Sequence, residues 1–132
     1  MKKIKVLIVD DHAVVRMGLK YALSLFVDIE LAGELADGEG AAELMRRSGA
    51  DVVLLDIRMP VMDGIETIKT IRELEKNGGG YTPVIAVTTY TMKKNRDMIM
   101  SNGFDGYLSK PFSEADLMLE IYNNINKKRS SE

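Results

Sequence analysis

The sequence predicts an α/β fold: a parallel sheet doubly wound, with helices on both faces. Two observations lead there. Five short apolar runs alternate with five longer segments of helical periodicity, the pattern of repeated strand-helix units. The short runs are also apolar at nearly every position rather than at alternate ones, which marks strands covered on both sides.

Each element can be justified in turn. Ile4–Val9 is a β-branched run bounded by Asp10-Asp11. Val14–Phe26 carries apolar residues at Val15, Leu19, Ala22 and Phe26, a helical spacing. Ile29–Gly33 is a second strand, and Glu39–Arg47 a helix ending near Gly49. Asp51–Asp56 is a third strand. Ile65–Lys76 follows as a helix, with Ile65, Ile68 and Ile71 or Arg72 on one face. The glycines after Asn77 are expected to end it. Pro83–Thr88 is a fourth strand, Met92–Ser101 a helix with a thin apolar stripe of Met92, Ile99 and Met100, and Asp105–Leu108 a fifth strand. Ser113 reads as the N-cap of a last helix, with Asp116 completing a capping box and Leu117, Ile121 and Ile125 facing the core.

The 132 residues suit a single domain over 1–132, with a core at about 3–126 and a polar tail at 127–132. Apolar residues make up 45% and charged residues 29%, enough for a core and a soluble surface. A net charge of -2 gives no general attraction to nucleic acid or membrane. With no cysteine, disulfides and thiolate chemistry are excluded. No run approaches a membrane span, and Met1-Lys2-Lys3 leads into too short a stretch for a signal peptide, so a cytoplasmic location is expected.

Ligands on such sheets bind beyond the carboxyl ends of the strands. There the chain places Asp10-Asp11, Asp56, Thr88 and Lys110-Pro111. Two carboxylates about 5 Å apart repel by roughly 3 kcal/mol at an effective dielectric near 20. Three are unfavourable without a cation, and one lysine cannot satisfy all of them. A hard divalent cation can, with Mg²⁺ the abundant choice and Mn²⁺ or Ca²⁺ as substitutes. Lys110 and Thr88 are then suited to the oxygens of a phosphoryl group, and one carboxylate to in-line attack on a phosphoryl donor.

Four motifs carry a family resemblance: Val-Asp10-Asp11-His12, Leu-Asp56-Ile-Arg-Met-Pro60-Val-Met-Asp63-Gly64, Val-Thr88-Thr89, and Gly106-Tyr107-Leu-Ser-Lys110-Pro111-Phe112. Together they resemble the receiver domain of two-component response regulators over essentially all of residues 3–126. The resemblance implies a flavodoxin-like three-layer (βα)5 sandwich with sheet order 2-1-3-4-5. It makes Asp56 the phosphoacceptor, and Asp10, Asp11, Asp56 and the backbone carbonyl of Arg58 the Mg²⁺ ligands. It gives Lys110 the phosphate, makes Thr88 and Tyr107 a switch pair, and implies a cis Lys110–Pro111 bond. Arg58, Met59, Thr89 and Tyr90 would flank the site, with Tyr90 shielding an acyl phosphate from water.

Plainer readings stand beside these. Asp10-Asp11 alone suits a helix N-terminus. Asp63-Gly64 reads as a turn and helix start. His12, the only histidine, is expected at the surface in the first helical turn beside the site. The nine methionines are mostly packing, with Met59 and Met62 at the rim.

The functional expectation is a regulatory phosphoacceptor rather than an enzyme acting on a separate substrate. Its partners would be a histidine kinase or phosphotransfer protein and a downstream target or output domain reading the face of the last two helices and fifth strand. No direct nucleic-acid or membrane contact is expected, and a homodimer stays open. The first half looks like receivers that precede DNA-binding domains, and the later half like those of hybrid kinases. A domain of either kind is therefore an alternative to a stand-alone regulator. An aspartate-nucleophile phosphatase is disfavoured, because Arg58 stands where its general acid would be.

Overall fold

The apolar runs become five strands: β1 (Ile4–Val9), β2 (Ile29–Leu35), β3 (Val52–Asp56), β4 (Val84–Thr88) and β5 (Gly106–Ser109). They form one sheet in the order β2-β1-β3-β4-β5, with every neighbouring pair parallel. Between them lie α1 (Ala13–Ser24), α2 (Ala41–Ser48), α3 (Gly64–Gly78) and α4 (Lys93–Ser101), and α5 (Glu114–Ser131) follows β5. The structure is a computed structural model that describes residues 2–57, 63–78, 80–89 and 93–131. The three-layer, doubly wound α/β architecture and its strand order agree with the sequence reading.

Successive strand residues point to opposite faces, and here both faces are apolar. Ile4, Val6, Ile8, Leu54, Ile85 and Val87 pack against Leu19 and Leu23 of α1 and Leu117, Ile121 and Ile125 of α5. Leu7, Val9, Val53, Leu55, Val84 and Ala86 pack against Met45 of α2, Ile68 and Ile71 of α3 and Ile99 of α4. Each such leucine or isoleucine, fully buried, contributes about 1.5–3 kcal/mol. α4 buries Ile99 completely and leaves Met98 exposed, as its thin stripe suggested.

The helix ends show where local chemistry wins or loses. Gly49 closes α2 in the left-handed conformation at φ 71°. Ser113 Oγ accepts the Asp116 N–H at 3.0 Å, and Asp116 Oδ2 accepts the Ser113 N–H at 3.3 Å, forming the capping box. Two boundaries differ from expectation. α3 continues through Asn77 to Gly78, because glycine in a last turn costs at most about 1 kcal/mol. α5 runs to Ser131, so residues 127–131 continue the helix instead of forming a separate tail. Lysine and arginine are good helix formers that also suit the C-terminal end of the dipole.

At the end of the sheet away from the strand carboxyl ends, Arg72 of α3 ties three segments together. Its guanidinium donates to Gly103 O at 2.9 Å, Thr82 O at 3.0 Å and Asp105 Oδ2 at 2.6 Å. Asp105 Oδ2 also accepts the Val84 N–H at 2.9 Å. This clamp sets where β4 and β5 begin, and hence where they deliver Thr88 and Lys110.

Candidate functional site

Asp10 leaves β1 buried, at 1% exposure, and Asp56 ends β3 at 4%. Thr88 ends β4, also buried, in register with Ser109 of β5. The Lys110 backbone N–H donates to Thr88 O at 2.8 Å, carrying the chain past the end of the sheet. The Lys110–Pro111 peptide is cis.

These elements aim the Lys110 ammonium at two carboxylates: Nζ lies 3.0 Å from Asp10 Oδ2 and 3.8 Å from Asp56 Oδ2. Asp11 stands beside them, with Oδ1 buried and accepting no hydrogen bond among the described residues. Ligand atoms of Asp10, Asp11, His12 and Asp56 all lie within 4.8 Å of one another. A donor set of three carboxylates, one with an unsatisfied buried oxygen, fits a hard divalent cation.

Gly64 begins α3 against the end of β3. The Gly64 N–H donates to Ile57 O at 2.8 Å. A β-carbon at Gly64 would stand 2.6 Å from Ile57 Cα and 2.8 Å from Asp56 O, so a side chain does not fit. Asp63 caps the helix, its Oδ1 accepting the Glu66 N–H at 2.9 Å.

The profile of the response regulator receiver domain matches residues 6–122. This chain belongs to the response regulator receiver family. The nitrate/nitrite response regulator protein NarL of Escherichia coli K12 is 34% identical over 89% of this chain and 52% of its own length. Hybrid signal transduction histidine kinase I of Dictyostelium discoideum is 34% identical over 96% of this chain, but only 8% of its own length. The CheX-CheY-BeF3-Mg²⁺ complex of Borrelia burgdorferi matches with a TM-score of 0.81 at 27% identity, over 92% of this chain and 89% of that one. The receiver thus spans about half the length of NarL and a small part of the hybrid kinase.

Within this receiver domain, the structure brings together Asp10, Asp11, Asp56, Thr88 and Lys110. Thr89 is exposed beside them and lines a groove of about 500 Å³ with Lys110, Pro111 and Val15. Tyr107 sits on β5, with β4 between it and the acidic cluster, its ring packed on the α2–α3–α4 side of the core. Its hydroxyl is buried without a hydrogen-bond partner among the described residues, and the Arg96 guanidinium lies 5.9 Å from the ring centroid. Arg58, Met59, Met62, Tyr90 and Met92 lie outside the described residues.

One residue was missed in the sequence reading and another exceeds its expected role. Arg16, on the first turn of α1, donates from Nη1 to the Asp10 carbonyl at 2.7 Å and from Nε to Glu34 Oε1 at 3.1 Å. It buttresses the strand end that holds Asp10. Glu34 in turn holds Lys20 at 2.7 Å, and the Lys20 hydrogen bond, followed by that of Arg16, keeps its carboxyl below the usual range against the opposing effect of burial. The signal was an arginine one helical turn beyond the acidic pair. His12 is exposed as expected, at 62% of its side chain, yet its Nδ1 turns inward: 3.0 Å from Asp11 Oδ1, 3.3 Å from Asp10 Oδ1 and 4.0 Å from Asp56 Oδ2.

Proposed function

We propose that this receiver accepts a phosphoryl group on Asp56 from the phosphohistidine of a kinase or phosphotransfer protein. The observation that carries the reading is the position of Lys110 Nζ, between Asp10 and Asp56 at 3.0 and 3.8 Å. One carboxylate is thereby left beside a positive charge that can receive the oxygens of an incoming phosphoryl group. An Asp56 oxygen attacks phosphorus in line, the new O–P bond forming as the donor's P–N bond breaks, and the electron pair leaves with the imidazole. Lys110 neutralises charge on the transferring oxygens and Thr88 donates its hydroxyl to one of them. Asp10, Asp11 and Asp56, with the Arg58 carbonyl, would hold Mg²⁺, which when bound neutralises the same oxygens. The Borrelia CheY structure that this chain resembles contains BeF3 and Mg²⁺, which suits a site for a divalent cation.

Phosphorylation then biases Thr88 and Tyr107 and, through them, the face of α4, β5 and α5 read by a target or output domain. This is a regulatory phosphoacceptor that acts on its own aspartate, not on a separate substrate. No helix of the described residues is long and apolar enough to cross a membrane, and a cytoplasmic location suits the reading. The match to about half of NarL, with the likeness to a DNA-binding response regulator of Staphylococcus aureus at 28% identity, favours a chain that works beside a DNA-binding output domain, with the hybrid kinase match as the second context.

The test is incubation with acetyl phosphate and Mg²⁺, followed by intact mass of wild type and Asp56→Asn. A phosphate-sized increment on wild type alone is expected. No increment on either protein, with Mg²⁺ bound normally, removes the reading.

A further inference from the structure

We infer that His12 supplies a nitrogen ligand to the cation site, so that this receiver takes an imidazole-seeking first-row cation such as Zn²⁺ or Co²⁺ more tightly than its carboxylates alone would allow. The inference rests on the proposed reading of Asp10, Asp11 and Asp56 as a cation site, and deepens it.

The geometry is that of a shared coordination sphere. Donor atoms about 2.1 Å from one cation lie about 3.0 Å apart when adjacent at right angles, and about 4.2 Å apart when opposite. His12 Nδ1 stands 3.0 Å from Asp11 Oδ1, 3.3 Å from Asp10 Oδ1 and 4.0 Å from Asp56 Oδ2. The first two distances are those of neighbouring ligands, and the third is close to that of an opposite one.

The backbone fixes the arrangement. His12 is the N-cap residue of α1 in an extended conformation, and its side chain makes no capping bond; its Nδ1 contacts Asp10 Oδ1 at 3.3 Å instead. Its N–H donates to Asp10 Oδ1 at 2.9 Å, which holds the Cα beside the cluster. With 62% of the side chain exposed, the ring can bind a cation at little cost in burial.

The chemistry then sets the selectivity. Mg²⁺ strongly prefers oxygen and gains little from an imidazole, whereas Zn²⁺ and Co²⁺ gain substantially. Exchanging the ring for an oxygen-bearing amide should therefore lower Zn²⁺ and Co²⁺ affinity by about tenfold or more, the scale of ligand-sphere changes in metal sites, while Mg²⁺ affinity changes less than about twofold.

Calorimetric titration of Mg²⁺ and Zn²⁺ into untagged wild type, His12→Gln and His12→Ala tests the inference, alongside ¹⁵N spectra of the imidazole. Because His12 is the only histidine in the chain, its ring signals need no assignment. The expected result is a shift of the Nδ1 resonance on Zn²⁺ addition, with a Zn²⁺-to-Mg²⁺ affinity ratio at least about tenfold lower in both variants. If wild type binds Mg²⁺ but Zn²⁺ leaves the ring resonances unmoved and both variants keep the wild-type ratio, the histidine ligand is overturned and the phosphoacceptor reading stands. If Asp11→Asn and wild type bind Mg²⁺ equally weakly or equally well, the cation site itself fails, and the inference with it.

Discussion

Lys110 Nζ donates to Asp10 Oδ2 at 3.0 Å across 100 positions of sequence. The pair joins the two ends of the chain at the site and places a cation among buried carboxylates. Removing one partner of a buried ion pair costs about 3–5 kcal/mol. Lys110→Met should therefore lower metal-free stability by roughly 3 kcal/mol, since its side chain is still 15% exposed. Saturating Mg²⁺ should narrow that gap, because it meets the same carboxylates. Urea unfolding in EDTA and in Mg²⁺ measures both effects. A gap of equal size under the two conditions would separate Lys110 from the cation site.

Gly64→Ala places a methyl group 2.6 Å from Ile57 Cα and 2.8 Å from Asp56 O. Both obstacles are backbone, so relief requires the backbone at Asp56 and Ile57, or the start of α3, to move. Overpacking of this kind costs about 1–3 kcal/mol, or roughly 3–10 °C in Tm for a chain of this size. Because the shift falls on the backbone of Asp56, the proposed phosphoacceptor, the rate of acetyl phosphate uptake should drop with it. A variant that melts lower but phosphorylates at the wild-type rate would show that the start of α3 yields instead of Asp56.

The fold was legible because period and composition agree at every strand. Val52 to Leu55 are apolar at each position, and the structure buries them on alternating faces of one sheet. Asp10, Asp56, Thr88 and Lys110 were legible as a site because each ends a strand or directly follows one, and parallel topology brings those ends together. Arg16 and His12 were less so. Their roles depend on side-chain direction, and a periodicity argument places a residue on a helix turn without saying where its last atoms reach. The end of α3 at Gly78 differs for another reason: a local penalty of about 1 kcal/mol is easily outweighed in the last turn of a packed helix.

Tyr122 donates its hydroxyl to Asp28 Oδ2 at 2.7 Å, tying α5 to the turn before β2. Burial first, then the Asp28 carboxylate, pushes its pKa from 10.0 up to about 12. A raised pKa means that the protonated form stabilises the fold. That contribution is complete below the unfolded value and is lost as pH rises through the folded one. Tyr122→Phe should cost about 1 kcal/mol near pH 8, a half-exposed hydrogen bond to a charged group being worth no more than this. The difference from wild type should shrink toward about pH 12. Urea midpoints across that range provide the measurement, and a difference that grows with pH would reverse the argument.

Tyr107 presents the opposite case, a hydroxyl buried with no partner among the described residues. A buried polar group left unsatisfied costs about 1–3 kcal/mol. Removing it should therefore leave the unphosphorylated protein unchanged or make it more stable by up to about 1 kcal/mol. The ring face under Arg96, 5.9 Å from its centroid, survives in Tyr107→Phe, so the cation–π contact of about 0.5 kcal/mol is kept. Arg96→Ala should lose that amount in either background, and the double variant should be additive. Thermal unfolding of the four proteins decides it. If Tyr107→Phe destabilises by more than about 1 kcal/mol, the hydroxyl already has a partner, and its inward position is set by a hydrogen bond rather than by packing of the ring.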